Sequence, residues 1–128
     1  MTAAPRAGVT VTHRRYVPYS HAHYAGDLVD GAYLLVLFGD VATELCIRSD
    51  GDEGLFASYD DVQFLAPVRA GDVVEASGTL VRIGHRSRVI EFSAAVVCRA
   101  APQRSPSAAD VLSEPLQVAR ARGTVVVP

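Results

Sequence analysis

The chain has 128 residues, 49% of them hydrophobic, with 12 Lys+Arg against 14 Asp+Glu and a formal net charge of −2. That length suits one compact domain, residues 1–128, with enough apolar material for a proper core. The charge balance lacks the basic footprint of a nucleic-acid binder, and no apolar run is long enough to cross a bilayer.

In chain order, the opening MTAAPRAGVTVTHRR has no apolar h-region of a signal peptide, so a soluble, cytoplasmic protein without a membrane partner is expected. Residues 1–7 read as a frayed start. GVTVTHRRYV (8–17) alternates and is β-branched, which predicts a first strand. The polar loop HAHYAGDLVDG (21–31) follows. In GAYLLVLFGDVATELCIRS (31–49), Leu34, Leu35, Phe38, Val41, Ala42 and Leu45 recur at helical spacing. Asp30 is placed to cap that helix and Arg48 to complement its C-terminal dipole. The helix is apolar on most sides, so it should be wrapped by other elements. SDGDEG (49–54) is turn chemistry that ends it.

The remainder reads as sheet. LFASYDDVQFLAP (55–67) is a strand and VRAGD (68–72) a turn. VVEASGTLVRI (73–83) and SRVIEFSAAVVCRA (87–100) form a hairpin about GHR (84–86). APQRSPSAADVLSEP (101–115) reads as a Pro/Ser/Ala-rich connection, and LQVARARGTVVV (116–127) as a final strand. One helix among five strands is an α+β order in which a long sheet curls round a central helix. Open sheet edges predict self-association. Cys46 and Cys98 are far apart, form no CxxC pair and read as free thiols of a reducing compartment.

Several groups could carry chemistry. Asp40 and Glu44 are spaced i,i+4 on one helix face. They either meet solvent or face a pocket, where a desolvated carboxylate beside another has a raised pKa and serves as a general base. His21 and His23, with Asp27 or Asp30, could hold zinc, but no further ligand cluster supports a metal. The alternatives are a surface pair, or His23 as a polar pocket residue. Arg82, Arg86 and Arg88 surround a hairpin turn, which is either a solvated tip or a phosphate clamp. Tyr59 reads as a packing tyrosine with a wet hydroxyl.

HYAGDLVDGA, FGDVATEL and DGDEGLFASYDDVQFLAPVRAGD, with the closing SEPLQVARARGTVVV, resemble the hotdog-fold 3-aminobutyryl-CoA and β-alanyl-CoA ammonia-lyases. The family pattern is close to AHYxGNLV(D/N)GA…GDVxTEL…GYxxxEFxAPVxxGD. More distantly, the layout is similar to hotdog acyl-CoA thioesterases. The resemblance implies a hotdog fold, a homodimer assembled into a higher homo-oligomer, and active sites between subunits. It also implies an acyl-CoA substrate and no cofactor beyond the coenzyme A of that substrate. Asp40 or Glu44 would take an α-proton, and amides near Gly31 and Ala32 would polarise the thioester carbonyl. His23, Tyr24 and Tyr59 would line the pocket and handle the proton of the leaving amine. Asp27 and Gln63 would lie at the substrate, and Arg82, Arg86 and Arg88 would hold CoA phosphates.

Three positions depart from the family pattern, which has Asp where His21 stands, Asn where Asp27 stands and Glu where Gln63 stands. Carbon–nitrogen lysis is the leading expectation. A thioesterase using Asp40 to activate water and a non-catalytic thioester-binding module are the alternatives.

Overall fold

The computed structural model describes residues 6–128. The frayed start expected over residues 1–7 lies, for residues 1–5, outside the described residues. The elements follow as β1 (Thr10–Tyr16), α1 (Gly31–Asp50), β2 (Leu55–Phe64), β3 (Val73–Ile83), β4 (Ser87–Ala100) and β5 (Ala109–Val126). All five strands pair antiparallel in one sheet, in the order β1-β3-β4-β5-β2. The helix lies on one face of this sheet, which is the α+β order of one helix and five strands expected. Among the described residues, no helix is long and apolar enough to cross a membrane.

Period-two burial explains how the sheet takes the helix. Along β3, Val74, Ala76, Gly78 and Leu80 are buried, while Val73, Glu75, Ser77 and Thr79 face away. Along β4, Ile90, Phe92, Ala94 and Val96 point the same way. The helix answers with Leu34, Leu37, Phe38, Val41, Ala42, Leu45 and Cys46, all buried. The Phe38 and Phe92 rings stack with centroids 5.0 Å apart. Helix and sheet meet so closely that a Cβ at Gly78 would stand 2.8 Å from Val41 Cγ1.

Three expectations about the elements are corrected. The connection read over 101–115 ends much earlier, because β5 already starts at Ala109. Val111 pairs opposite Cys98 and Leu116 opposite Val96, leaving residues 112–115 bulged out of the ladder. Pro115 sits in that bulge, where no ladder N–H is required of it. Second, the helix is not covered all round. Ala32, Val36, Asp40, Thr43 and Ile47 form an exposed stripe, and Val36 and Ile47 are 58% and 50% exposed. The C-terminus also runs one residue beyond the expected Ser49, to Asp50, and closes on Gly51 in the left-handed conformation (φ 68°).

Candidate active site

The site is built round the start of α1. Asp30 is extended, and its Oδ1 accepts the Tyr33 N–H at 3.2 Å, which makes it the N-cap expected. The preceding loop doubles back through two successive left-handed residues, Gly26 (φ 76°) and Asp27 (φ 61°). Asp tolerates that region better than most side chains. The loop is anchored on the Pro67–Asp72 turn. The Val29 N–H donates to Val68 O (3.0 Å), and the Ala70 N–H donates to Asp27 O (2.7 Å). Between this turn and the helix start lies a cavity of about 520 Å³. Val29, Leu34, Phe64, Leu65 and Pro67 give it apolar walls, with Tyr24, Asp30 and Gly31 at its polar side. A Cβ at Gly31 would stand 2.6 Å from Phe64 Cζ, so the ring can close over the helix start only above a glycine. Among the expected site residues, His23, Tyr24, Asp27, Gly31 and Ala32 are thus gathered at this end. His23 Nδ1 lies 3.9 Å from Asp30 Oδ2, and its ring meets Tyr24 edge-on at 4.6 Å.

The two helix carboxylates lie elsewhere, between α1 and β1. Asp40 Oδ2 accepts from Arg15 Nη2 at 3.3 Å, with its side chain about half exposed. Glu44 accepts from Arg48 Nε at 2.8 Å, and its Oε1 lies 2.8 Å from His13 Nε2. These bonds to Arg48 and His13 hold the Glu44 carboxyl below its ordinary value. The raised pKa expected of a desolvated carboxylate pair is therefore not found at Glu44, because two cationic or donor groups face it and water reaches it. Arg15 also stands 5.9 Å over the Tyr33 ring, and the Tyr33 hydroxyl lies 2.8 Å from His21 Nδ1. Asp40 borders a second hollow of about 380 Å³ together with His13, Arg15 and Leu37.

The other expected residues scatter. The Tyr59 hydroxyl is not wet. It donates to Leu35 O at 2.9 Å, and burial pushes its pKa up to about 12. It joins β2 to α1 and packs 4.2 Å from the Phe56 ring. Gln63 Nε2 donates to Asp61 Oδ1 at 3.3 Å, on the exposed side of β2.

The three hairpin arginines do not form one clamp. Arg86 is exposed, and Arg82 borders an outer-face hollow whose walls include Asp60 and Glu91. Arg88 is only 6% exposed. Its Nη2 lies 2.7 Å from Asp50 Oδ1, its Nε 3.0 Å from Oδ2, and its Nη1 donates to Gly84 O and Ser87 O at 2.9 Å each. All three nitrogens of that guanidinium have partners inside the protein. Among the described residues no group of three or more metal-ligating side chains comes together, and His21 and His23 turn to different partners.

His13 and Arg15 carry no motif that marks them as site residues. Both share the inward face of β1 with buried Val11, and the buried Val17 directly follows the strand. Cationic side chains at core-facing positions of a strand need acidic partners, and that was the available signal for Asp40 and Glu44. The walls Leu65, Pro67 and Val68 sit in and directly before the APV segment (66–68) and carry no titratable group to mark them.

Residues 27–94 match the model of the thioesterase superfamily. The chain is 55% identical over 107 residues to the 3-aminobutyryl-CoA ammonia lyase of Acetoanaerobium sticklandii, which covers 84% of this chain and 85% of that protein. Its structure is similar to that of the β-alanyl-CoA:ammonia lyase from Clostridium propionicum. The TM-score is 0.90 and the identity 33%, over 95% of this chain and 87% of that one. A hexameric thioesterase from Yersinia pestis shares the fold, with a TM-score of 0.75 and 20% identity over 94% of this chain and 88% of that one. The chain therefore belongs to the thioesterase superfamily and, within its hotdog fold, to the family of the 3-aminobutyryl-CoA ammonia lyase.

Proposed function

We propose that the protein is a carbon–nitrogen lyase that interconverts a 3-aminoacyl-CoA with the 2-enoyl-CoA and ammonia. The 55% identity to a relative bearing that activity carries the reading. The apolar cavity opening on the capped start of α1 supports it.

In the elimination direction a carboxylate removes the proton at C2, next to the thioester carbonyl. The electron pair left behind forms the C2=C3 bond as the C3–N bond breaks. Ammonia leaves from the ammonium form, and the proton held by the carboxylate can pass to it. The first-turn amides at Gly31 and Ala32 stabilise the enolate-like oxygen. An acyl thioester acidifies its own C2 proton, and neither hydride nor electrons are exchanged, so the coenzyme A of the substrate is the only group this chemistry requires. Asp30 beside the cavity favours a cationic amino group.

The spacing along α1 supports a shared site. Asp40 is nine residues beyond Gly31, which places it about 13 Å farther along the helix axis. One thioester cannot reach both within one chain. We place Asp40 in the site of a second copy, with the exposed helix stripe and the β2 edge at the contact. There Leu55, Phe64 and Leu65 are 73%, 54% and 47% exposed. A homodimer, assembled further into a larger homo-oligomer, meets that need. The unpaired Cys46 and Cys98 fit a reducing, cytoplasmic setting. The thioesterase reading rests on relatives at 17–20% identity, a likeness of fold alone.

Complementation tests the arrangement. Asp40→Asn and Gly31→Val are each expected to be nearly inactive as pure oligomers. Unfolded, mixed and refolded together, they should regain up to about a quarter of wild-type turnover, since one site in each mixed dimer is intact. Wild-type turnover by Asp40→Asn and by Glu44→Gln alike removes the carboxylate base. No recovery on mixing two folded variants removes the shared site.

A further inference from the structure

We infer that Arg99, on β4, is a positioning residue for this site. It lines no part of the cavity, yet it holds the turn that forms one wall and, through that turn, the loop that caps α1.

Asp72 is fully buried at 0% exposure. Its Oδ2 accepts the Arg69 N–H at 2.8 Å, and its two oxygens accept Arg99 Nε at 3.0 Å and Nη2 at 2.9 Å. The same Nη2 donates to Pro67 O at 3.1 Å. One planar guanidinium thereby joins the first and last residues of the turn Pro67–Asp72, a fork that a lysine ammonium cannot reproduce. The turn is also fixed from the β1 side, with the Val17 N–H donating to Asp72 O and the Gly71 N–H to Val17 O, at 2.8 and 2.7 Å.

From this clamped turn, Val68 O and the Ala70 N–H hold Val29 and Asp27, the residues on either side of Leu28, and Val29 directly precedes the cap Asp30. Arg99 is thus two bonded steps from the helix start. A shift of the turn moves the cavity wall at Pro67 and Val68 together with the amides at Gly31. The effect on turnover rests on the lyase reading above, whereas the effect on the cap does not.

The simplest alternative is a buried ion pair that stabilises the fold and nothing else. Arg99→Lys separates the two, because it keeps the charge beside Asp72 and loses the second arm to Pro67. Amide hydrogen exchange of the folded variant is expected to speed up roughly tenfold at Val29 and Ala70, the factor for weakening one hydrogen bond of typical worth. Ile90 and Val96 in β4 should exchange as in the wild type. Steady-state kinetics with crotonyl-CoA and ammonium should show kcat reduced by up to about 100-fold with KM nearly unchanged, as for a displacement on the order of 1 Å of groups that act in the transition state. The Arg99 side chain is 23% exposed, so added guanidinium should reach the gap in Arg99→Ala and restore part of kcat.

Unchanged exchange at Val29 and Ala70, or an unchanged kcat per folded molecule in Arg99→Lys, overturns the inference. A wild type inert toward enoyl-CoA, with those amides still responding to the substitution, instead refutes the lyase reading and leaves the clamp standing.

Discussion

Replacing Arg88 by Met gives the sharpest separation between a structural arginine and a phosphate-binding one. The side chains of Arg88 and Asp50 are 7% and 9% exposed, and the pair joins the last residue of α1 to the start of β4. Burial pushes the Asp50 carboxyl up, but the bonds from Arg88 and Ser49 outweigh it and hold the group below its ordinary 3.8. Met fills most of the volume and removes the charge, which leaves a carboxylate unpaired in the interior. Removing one partner of a buried pair costs about 3–5 kcal/mol. The entropy of unfolding is near 2.1 cal/mol/K per residue, or roughly 0.27 kcal/mol/K for this chain, so Tm should fall by about 11–19 °C.

Thermal unfolding at neutral pH, followed by circular dichroism, reads this directly. The double variant Arg88→Met with Asp50→Leu should recover much of the loss, because apolar replacement of a whole buried pair is often neutral. The sign with pH follows from the depressed carboxyl. Its stabilisation is complete above the unfolded value near 3.8 and is lost as pH falls through the lower folded value. A Tm within about 3 °C of wild type, joined to a raised KM for CoA thioesters, would refute the reasoning and return Arg88 to the phosphate-binding group.

Other outcomes follow from the same structure. Asp30→Ala removes the N-cap and should cost about 1 kcal/mol, near 4 °C in Tm, with a fall in kcat larger than any change in KM. Glu44 is held below its ordinary 4.5 by Arg48 and His13. Its contribution is therefore present above that pH and disappears as the solution is acidified through the folded value, so Glu44→Gln should flatten the acid limb of Tm against pH. Phe38→Ala opens the stack on Phe92 and should cost about 3–5 kcal/mol in denaturant unfolding, without altering the slope with denaturant.

Local pattern made much of this molecule legible. Alternation in β3 and β4, the three- and four-residue spacing of α1, and Asp30 directly before Gly31 are short-range signals, and the structure follows them. The start of β5 was hidden because Pro115 and its small neighbours read as a connection, whereas a bulge opposite Val97 absorbs them. The site and the buried ion pairs were harder to see, since their contacts span long stretches of chain. Arg88 and Asp50 are 38 positions apart, Arg99 and Asp72 27, and His13 and Glu44 31. Arginines judged by their sequence neighbours at a hairpin tip look alike. Only the sheet register shows that Arg88 turns inward to the end of the helix while Arg82 and Arg86 meet solvent. The resemblance supplied the chemistry, and the fold distributed its residues between the start and the middle of one helix.

A carbon–nitrogen lyase breaks and makes that bond without hydrolysing the thioester. Incubating the wild-type protein with crotonyl-CoA or acryloyl-CoA and ammonium, while following enoyl absorbance and free thiol together, measures it directly. Loss of the enoyl absorbance that depends on ammonium, with no thiol released, is expected. Thiol release in step with substrate consumption, or an enoyl absorbance that ammonium leaves untouched, would contradict it.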